Sequence, residues 1–336
     1  MKNRVRKYRM LKGFSQEELS KLTGIPRTTI SAIESRKVSP SVEYALRLAS
    51  VLGCSVEELF RQEEIKLFRD FSEGPFLSTT IGNKTVVYPL SKGLSGYLPP
   101  DGVLKGGKLQ WVRKDSKDRT FVFAGCDPSM GMLSHMLIEE GVRFVPFYSS
   151  SREALELLKA GYIHMAGVHL GRLENNIKVI KDILGGDYKV LRVFFWEEGI
   201  ALRGDLQIKS IREIKYERLI WLVKEEGAGA RKLFENIREE LGPIEWKEFK
   251  GGHDELALSL KNGLGDAGVC IKFSALKAEL GFLSVDTEDY CICYREELEE
   301  DRNFIKVIET IKSKNYRQRI SSLPGYHLEN YEEITI

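Results

Sequence analysis

No stretch of this 336-residue chain holds eighteen consecutive apolar residues, so no segment reads as a membrane span. The first basic residues lead into a polar helical pattern and not into the apolar core of a secretory leader. Cysteine is scarce. Cys54, Cys126, Cys270, Cys291 and Cys293 are odd in number, scattered and without CxxC spacing, which argues against a disulfide framework and for a reducing, cytoplasmic setting. An excess of one charge is missing too: the net charge is only +2. With 42% hydrophobic and 30% charged residues, the composition excludes disordered and collagen-like classes, and the length allows two or three compact units. The loop within 121–137 lacks the glycine spacing of a dinucleotide or P-loop site, and "KGGK" (105–108) reads as a turn and not a phosphate loop.

Positive charge is concentrated at one end. Lys2, Arg4, Arg6, Lys7, Arg9 and Lys12 fall within the first twelve residues without an acid among them, so a polyanion would meet that end. From Val5 to Phe60 apolar residues recur at helical spacing: Leu19 and Leu22, Ile30 and Ile33, Leu46 and Ala49, then Val56, Leu59 and Phe60. Ser15 with Glu18 forms a capping box, Gly24 separates two helices and Pro26 opens the next. The pattern is a helix-turn-helix. The segment "FSQEELSKLTGIPRTTISAIESRKVSPSVEYALRLASVLGCSVEELF" resembles the Xre/Cro family of DNA-binding domains. The resemblance implies five helices with the third in the major groove, base-reading positions at Arg27 and Thr28 and, more weakly, Ser31 and Ala32, and a phosphate-contacting Gln16. The side-chain chemistry agrees: Arg27 can pair bidentately with guanine, and Thr28 and Thr29 can bond bases or phosphates. Arg36 and Lys37, just past the recognition helix, suit backbone phosphates. The expected partner is double-stranded operator DNA, read by a homodimer on a palindromic site.

Residues 61–118 change character. "STTIGNKTVVYPL" alternates and turns at Gly82-Asn83 as a hairpin would, and the stretch after it is dense in glycine and proline. The expected division is residues 1–66 as the DNA-binding domain, 67–118 as a linker with short strands, and 119–336 as a two-lobed α/β domain. Whether the linker strands form their own β unit or an edge of the next domain is left open by the sequence.

In "FVFAGCDPSMGMLSHML" (121–137) a buried strand runs into a helix through Gly125, Cys126 and Asp127. Two segments downstream repeat each other. "SREALELLKAGYIHMAGVHL" (151–170) and "HDELALSLKNGLGDAGVCI" (253–271) align Glu153 with Glu255, Leu158 with Leu260, Lys159 with Lys261 and Gly161 with Gly263. A repeat about a hundred residues apart fits two α/β lobes facing a cleft better than a solenoid. Helix starts at Asp127 and Ser129, at Ser149 to Ser151, at Gly227 to Arg231 and at His253 then offer four amide-bearing ends beyond the strands' carboxyl termini.

The run "AGCDPSMGML", "AGVHL", "WEEGIAL", "EEGAGAR" and "GDAGV" resembles the periplasmic-binding-protein-like domain that bacterial regulators carry behind a helix-turn-helix. The resemblance implies a two-lobed α/β sensor related to molybdate- and tungstate-binding proteins, with Asp127, Ser129, Ser150, Ser151, Gly227, Gly229 and Arg231 facing the cleft. Trp196, Glu197, His169, His253 and Tyr290 are further candidates by position. Ala228 and Ala230 stand where many relatives carry hydroxyls, so a small organic acid or zwitterion competes with an oxyanion as the ligand. Several residues keep two readings: Asp127 as helix cap or ligand contact, and Cys126 as packing or as a nucleophile with His135 or His169 as base. The expectation is a ligand-responsive transcription regulator, neither enzyme nor membrane protein, with no cofactor and no metal. Its rivals are an enzyme using Cys126 and His169, and a protein-interaction module.

Overall fold

The computed structural model describes residues 3–60, 64–68, 71–90, 98–215 and 217–336, which fall into two compact units, Met1–Ile65 and Lys66–Ile336. The first unit is built of α1 (Val5–Leu11), α2 (Gln16–Thr23), α3 (Arg27–Glu34), α4 (Val42–Leu52) and α5 (Val56–Phe60). Ser15 and Glu18 close the expected capping box, and Gly24 ends α2 in the left-handed conformation. Each short helix buries a narrow stripe: Leu19 on α2, Ile30 and Ile33 on α3, and Ala45, Leu48, Ala49 and Leu52 on α4. Leu22 and Leu46, expected inside, are exposed instead. Leu46 lies one helical step, about 100°, from the buried Ala45, which takes it off so narrow a face.

The second unit begins with a five-stranded sheet ordered β1-β3-β2-β4-β5, from β1 (Glu64–Leu67), β2 (Gly74–Ile81), β3 (Lys84–Pro89), β4 (Gly102–Lys105) and β5 (Lys108–Trp111). Gly82 and Asn83 make the two-residue turn between β2 and β3, and Gly106-Gly107 turns β4 into β5. Leu77, Val86 and Tyr88 of this sheet share one core with Val122, Ala124 and Ala154 of the following lobe. Residues 91–97 of the glycine-rich stretch, where further turns were expected, lie outside the described residues.

The rest is a two-lobed α/β domain with a duplicated plan. In the first lobe β6 (Thr120–Gly125), α6 (Met130–Glu139), β7 (Arg143–Tyr148), α7 (Ser151–Lys159) and β8 (Met165–Val168) follow one another, then α8 (Leu173–Leu184). After β9 (Tyr188–Leu202) and α9 (Ile211–Ile214), the second lobe runs β10 (Ile220–Lys224), α10 (Gly229–Leu241), β11 (Glu245–Phe249), α11 (His253–Lys261) and β12 (Ala267–Ile271), with α12 (Lys272–Lys277). The sheet order β11-β10-β12-β9-β13-β8-β6-β7 reads the same from either end: edge strand, first strand, third strand, long central strand. The repeat detected at 151–170 and 253–271 is therefore α7 with β8 and α11 with β12. The long strands β9 and β13 (Gly281–Arg295) pair antiparallel through both lobes. The chain ends with α13 (Arg302–Lys312), α14 (Lys314–Ser321), β14 (Tyr326–His327) and β15 (Glu332–Thr335), both strands pairing with β9.

Both faces of the first lobe's sheet are covered, which explains the unbroken apolar run of β6. Phe121 and Phe123 enter one core with Leu133 and Phe304, while Val122 and Ala124 enter another with Leu155 and Ile180. In the second lobe Trp221 and Val223 pack with Phe234 on one face, and Leu222 packs with Leu256 and Leu260 on the other.

Candidate functional site

Parallel strands feeding helices in this order bring the carboxyl ends of β6, β8 and β10 and the N-termini of α7, α10 and α11 to one cleft, with the middles of β9 and β13 as its floor. Cys126 follows β6, and its Sγ lies 2.8 Å from His169 Nε2, which follows β8. The other ring nitrogen of His169, Nδ1, is 2.7 Å from Glu288 Oε2 on β13. Ser151, the first residue of α7, fixes His169 by its backbone, accepting from its N–H at 3.1 Å and donating to its carbonyl at 3.2 Å. Glu198 on β9 is fully buried beside Glu288, and that acid is the one hydrogen-bonding neighbour its carboxyl oxygens have among the described residues. His253, which opens α11, is buried with Nδ1 unpartnered. Its ring centroid is 5.5 Å from that of His169 and 5.6 Å from that of Trp196.

Burial and charge set the protonation of this cluster. Burial alone would favour a neutral His169 ring, but the Cys126 sulfur and the Glu288 carboxylate together hold it well above the usual imidazole range. Burial and the neighbouring Glu288 push Glu198 well above the usual carboxylate range. Glu288 is held below that range against its burial by His169. Burial, with positive His169 and Lys224 nearby, keeps His253 neutral. The cluster thus pairs an imidazolium with one carboxylate, sets a neutral carboxyl beside that carboxylate, and leaves Nδ1 of a neutral imidazole without a partner.

The two lobes touch across the cleft. Lys224, at the end of β10, donates to Tyr148 Oη at 2.9 Å, and that hydroxyl donates to Glu225 Oε1. Lys232 of α10 donates to the Leu170 carbonyl at 2.7 Å. The α10 N-terminus approaches so closely that only glycine fits at 229, where a Cβ would sit 2.4 Å from the His169 carbonyl.

Of the residues expected in the cleft, His169, His253, Trp196, Tyr290, Ser151 and Gly229 gather around this cluster. Trp196 and Tyr290 are buried with ring centroids 4.9 Å apart, and Tyr290 stacks on Phe194. Asp127 turns inward, accepting from Ser129 N–H at 2.9 Å, Ser129 Oγ at 2.6 Å and Tyr326 Oη at 2.7 Å. Ser150 caps α7. Glu197 points the other way, as alternation along β9 demands once Trp196 and Glu198 face in, and Lys272 holds it at 2.9 Å. Arg231 pairs with Glu235 at 2.6 Å and lies over the Trp246 ring at 4.9 Å. With Gly227, Arg152 and Lys232 it lines a cavity of about 430 Å³ beside the lobe contacts. Glu198, Glu288, Lys224 and Tyr148 were not singled out from the sequence; an acid within the apolar run "VFFWEEGIAL" was the available signal for Glu198.

In the first unit Arg27, Thr28 and Ser31 are exposed along α3, with Thr29 half-buried. Arg27 has a single loose ion pair, with Glu17 at 3.9 Å. Arg36 and Lys37 are exposed beyond its end. Gln16 donates to Glu34 at 2.9 Å. Among the described residues two groups could hold a metal ion. Cys126, His169 and His253 offer ligand atoms within 4.8 Å of one another, as do His169, Glu198 and Glu288.

A small helical unit with an exposed third helix, joined to two lobes that meet over a polar cleft, defines a class of regulator with a binding-protein-like second half. The family models agree: a PBP superfamily domain matches residues 135–312 and a helix-turn-helix matches residues 5–59. The chain belongs to the PBP superfamily by its C-terminal lobes and is an HTH-type transcriptional regulator by its N-terminal helices. An uncharacterized HTH-type transcriptional regulator of Methanocaldococcus jannaschii is 41% identical over 64 residues, 19% of this chain and 97% of its own length. The regulator PuuR of Escherichia coli is 36% identical over 61 residues, 18% of this chain and 33% of its own. Among solved structures, a candidate phosphate ABC transporter substrate-binding protein of Clostridium perfringens, solved with bound phosphate, superposes with a TM-score of 0.51 at 11% identity. It covers 62% of this chain and 100% of its own, a likeness of fold alone. No helix among the described residues is long and apolar enough to cross a membrane.

Proposed function

We propose that this regulator binds operator DNA as a homodimer on a palindromic site inside the cell, and that a small effector held between its C-terminal lobes sets its affinity for that DNA. Arg27, Thr28, Thr29 and Ser31 read base edges from α3, and Gln16, Arg36 and Lys37 hold phosphates. The observation that carries the effector reading is the buried polar cluster at the lobe junction, where His253 Nδ1 has no partner and the Glu198 carboxyl has only the neighbouring Glu288. A tetrahedral oxyanion of the molybdate or tungstate kind suits that cluster poorly, because the Glu288 carboxylate would repel it. An effector with positive charge at its inner end suits it well. The full chain is expected to select a defined sequence from random duplex DNA, and its affinity for that duplex is expected to differ between effector-free and effector-loaded protein. Equal affinity for selected and scrambled duplex would refute the DNA-binding half.

One observation favours a second reading. Cys126, His169 and Glu288 stand in the order nucleophile, base, orienting carboxylate, at 2.8 and 2.7 Å. A thiol enzyme would turn over a small ester or amide and lose that activity in Cys126→Ser; a regulator alone would show no turnover to lose.

A further inference from the structure

Resting on the effector reading, the geometry assigns Cys126, His169 and His253 as the ligands of a borderline-soft divalent metal ion, of the zinc class, that bridges the two lobes.

The donor set points to that class. One sulfur and two imidazole nitrogens lie within 4.8 Å of one another in a buried setting, a combination that suits Zn²⁺, Co²⁺ or Ni²⁺ and not the oxygen-seeking Mg²⁺ or Ca²⁺. Three protein ligands leave a fourth coordination position for water or a further small molecule. His253 supplies an independent observation: a ring 1% exposed whose Nδ1 has no hydrogen-bond partner, an arrangement costly for a core histidine and ordinary for a ligand. Glu288 completes the pattern behind the ligands, since a carboxylate on Nδ1 of a histidine fixes the ring and leaves Nε2 for the metal.

Side-chain rotation has to bring the three ligand atoms to bonding distances from one centre. Tetrahedral bonds of about 2.3 Å to sulfur and about 2.0 Å to nitrogen set those two atoms roughly 3.5 Å apart. Cys126 Sγ and His169 Nε2 stand at 2.8 Å and separate by less than an ångström, while the His253 nitrogen, within 4.8 Å of both, closes in. On binding, the thiol and the Nε2 position of His169 must both be free of protons, so protons leave as the metal enters. Cys126 and His169 belong to the first lobe and His253 to the second. Occupancy therefore ties the lobes together, and this is how the ion would report to the rest of the chain.

The test uses the full chain, stripped with a chelator, desalted and titrated with Co²⁺ and then Zn²⁺. Expected is one saturable equivalent of Co²⁺ per chain with thiolate-to-metal charge-transfer absorption, displaced by Zn²⁺. Cys126→Ser should abolish that absorption. His253→Ala should weaken binding at least tenfold, and Glu288→Gln should weaken it about 10- to 100-fold. Circular dichroism of each variant separates loss of a ligand from loss of fold, and His253→Gln provides a milder variant should His253→Ala unfold. No saturable binding by the wild type, or binding untouched by Cys126→Ser and His253→Ala in folded protein, would overturn the assignment. Selected-duplex binding is measured in parallel. If DNA is bound but no ion is, the metal site fails and the DNA-binding function stands; if the ion is bound without changing DNA affinity, the site stands and its role as effector fails.

Discussion

Gly229 lies flat against His169: a Cβ at 229 would come within 2.4 Å of the His169 carbonyl oxygen and 2.5 Å of its Nδ1. The first turn of α10 in one lobe thereby covers the central histidine of the other. Gly229→Ala should push the lobes apart at this point, at a cost of about 1–3 kcal/mol. Thermal unfolding should show a lowered midpoint for the C-terminal unit, and small-angle scattering a more open particle. An unchanged midpoint together with an unchanged scattering profile would contradict the close approach.

Glu198 and Glu288 should answer differently to the same replacement. Glu198 is held protonated by burial and by Glu288, so Glu198→Gln keeps an uncharged group of the same shape and should raise stability near neutral pH, where the native wild type has to take up a proton that the unfolded chain lacks. Its raised folded pKa means the native state binds more protons than the unfolded one above about pH 4.5, so wild-type stability falls as pH rises through that window, and the Gln variant should lose less. Glu288→Gln leaves the buried imidazolium of His169 without its charged partner and should cost about 3–5 kcal/mol, as breaking a buried pair does. Urea unfolding of both variants at two pH values checks the contrast; equal losses would mean that the charge is placed otherwise.

Local chemistry is legible in the sequence, and long-range strand pairing is not. The capping box of Ser15 and Glu18, the hairpin turn at Gly82-Asn83 and the duplicated helix and strand were legible because each is local chemistry at fixed spacing. Glu197 and Glu198 are adjacent acids on a 15-residue strand, and which of them faces inward depends on the parity of β9 within the sheet. Glu288 is harder still, since β13 shifts register between Ser284 and Asp286 before reaching it. For Arg231 the signal is local: Glu235, four residues on along α10, is a natural partner at helical spacing.

His164 should make the C-terminal unit acid-sensitive. Its Nδ1 accepts from Val122 N–H at 3.1 Å and its Nε2 donates to the Thr80 carbonyl at 3.1 Å, so the ring is neutral, and burial pulls its pKa down to about 4. Between the ordinary value near 6.5 and about 4 the unfolded chain binds the extra proton, so stability is lost as pH falls through that range, on the order of 3 kcal/mol. His164→Gln should flatten that part of the profile. A variant as acid-sensitive as the wild type would show that the loss originates elsewhere.

Arg27→Ala should weaken binding to the selected operator by about 1–3 kcal/mol and relax the preference at one base position. Lys37→Ala should weaken binding to all sequences alike and reduce the salt slope by about 1. Fluorescence anisotropy across a salt series separates the two effects, and a sequence-independent loss from Arg27→Ala would move that residue to the phosphate backbone.

If the buried cluster at the lobe junction is the effector site, its occupancy changes the grip of the DNA-reading helices. The most direct test is the dissociation constant for selected operator duplex in chelator and in saturating Zn²⁺, for the wild type and for His253→Ala. The account predicts a 5- to 150-fold change for the wild type, a coupling of about 1–3 kcal/mol, and none for the variant. Identical constants for the wild type with and without the ion, or an equal response from the variant, would contradict it.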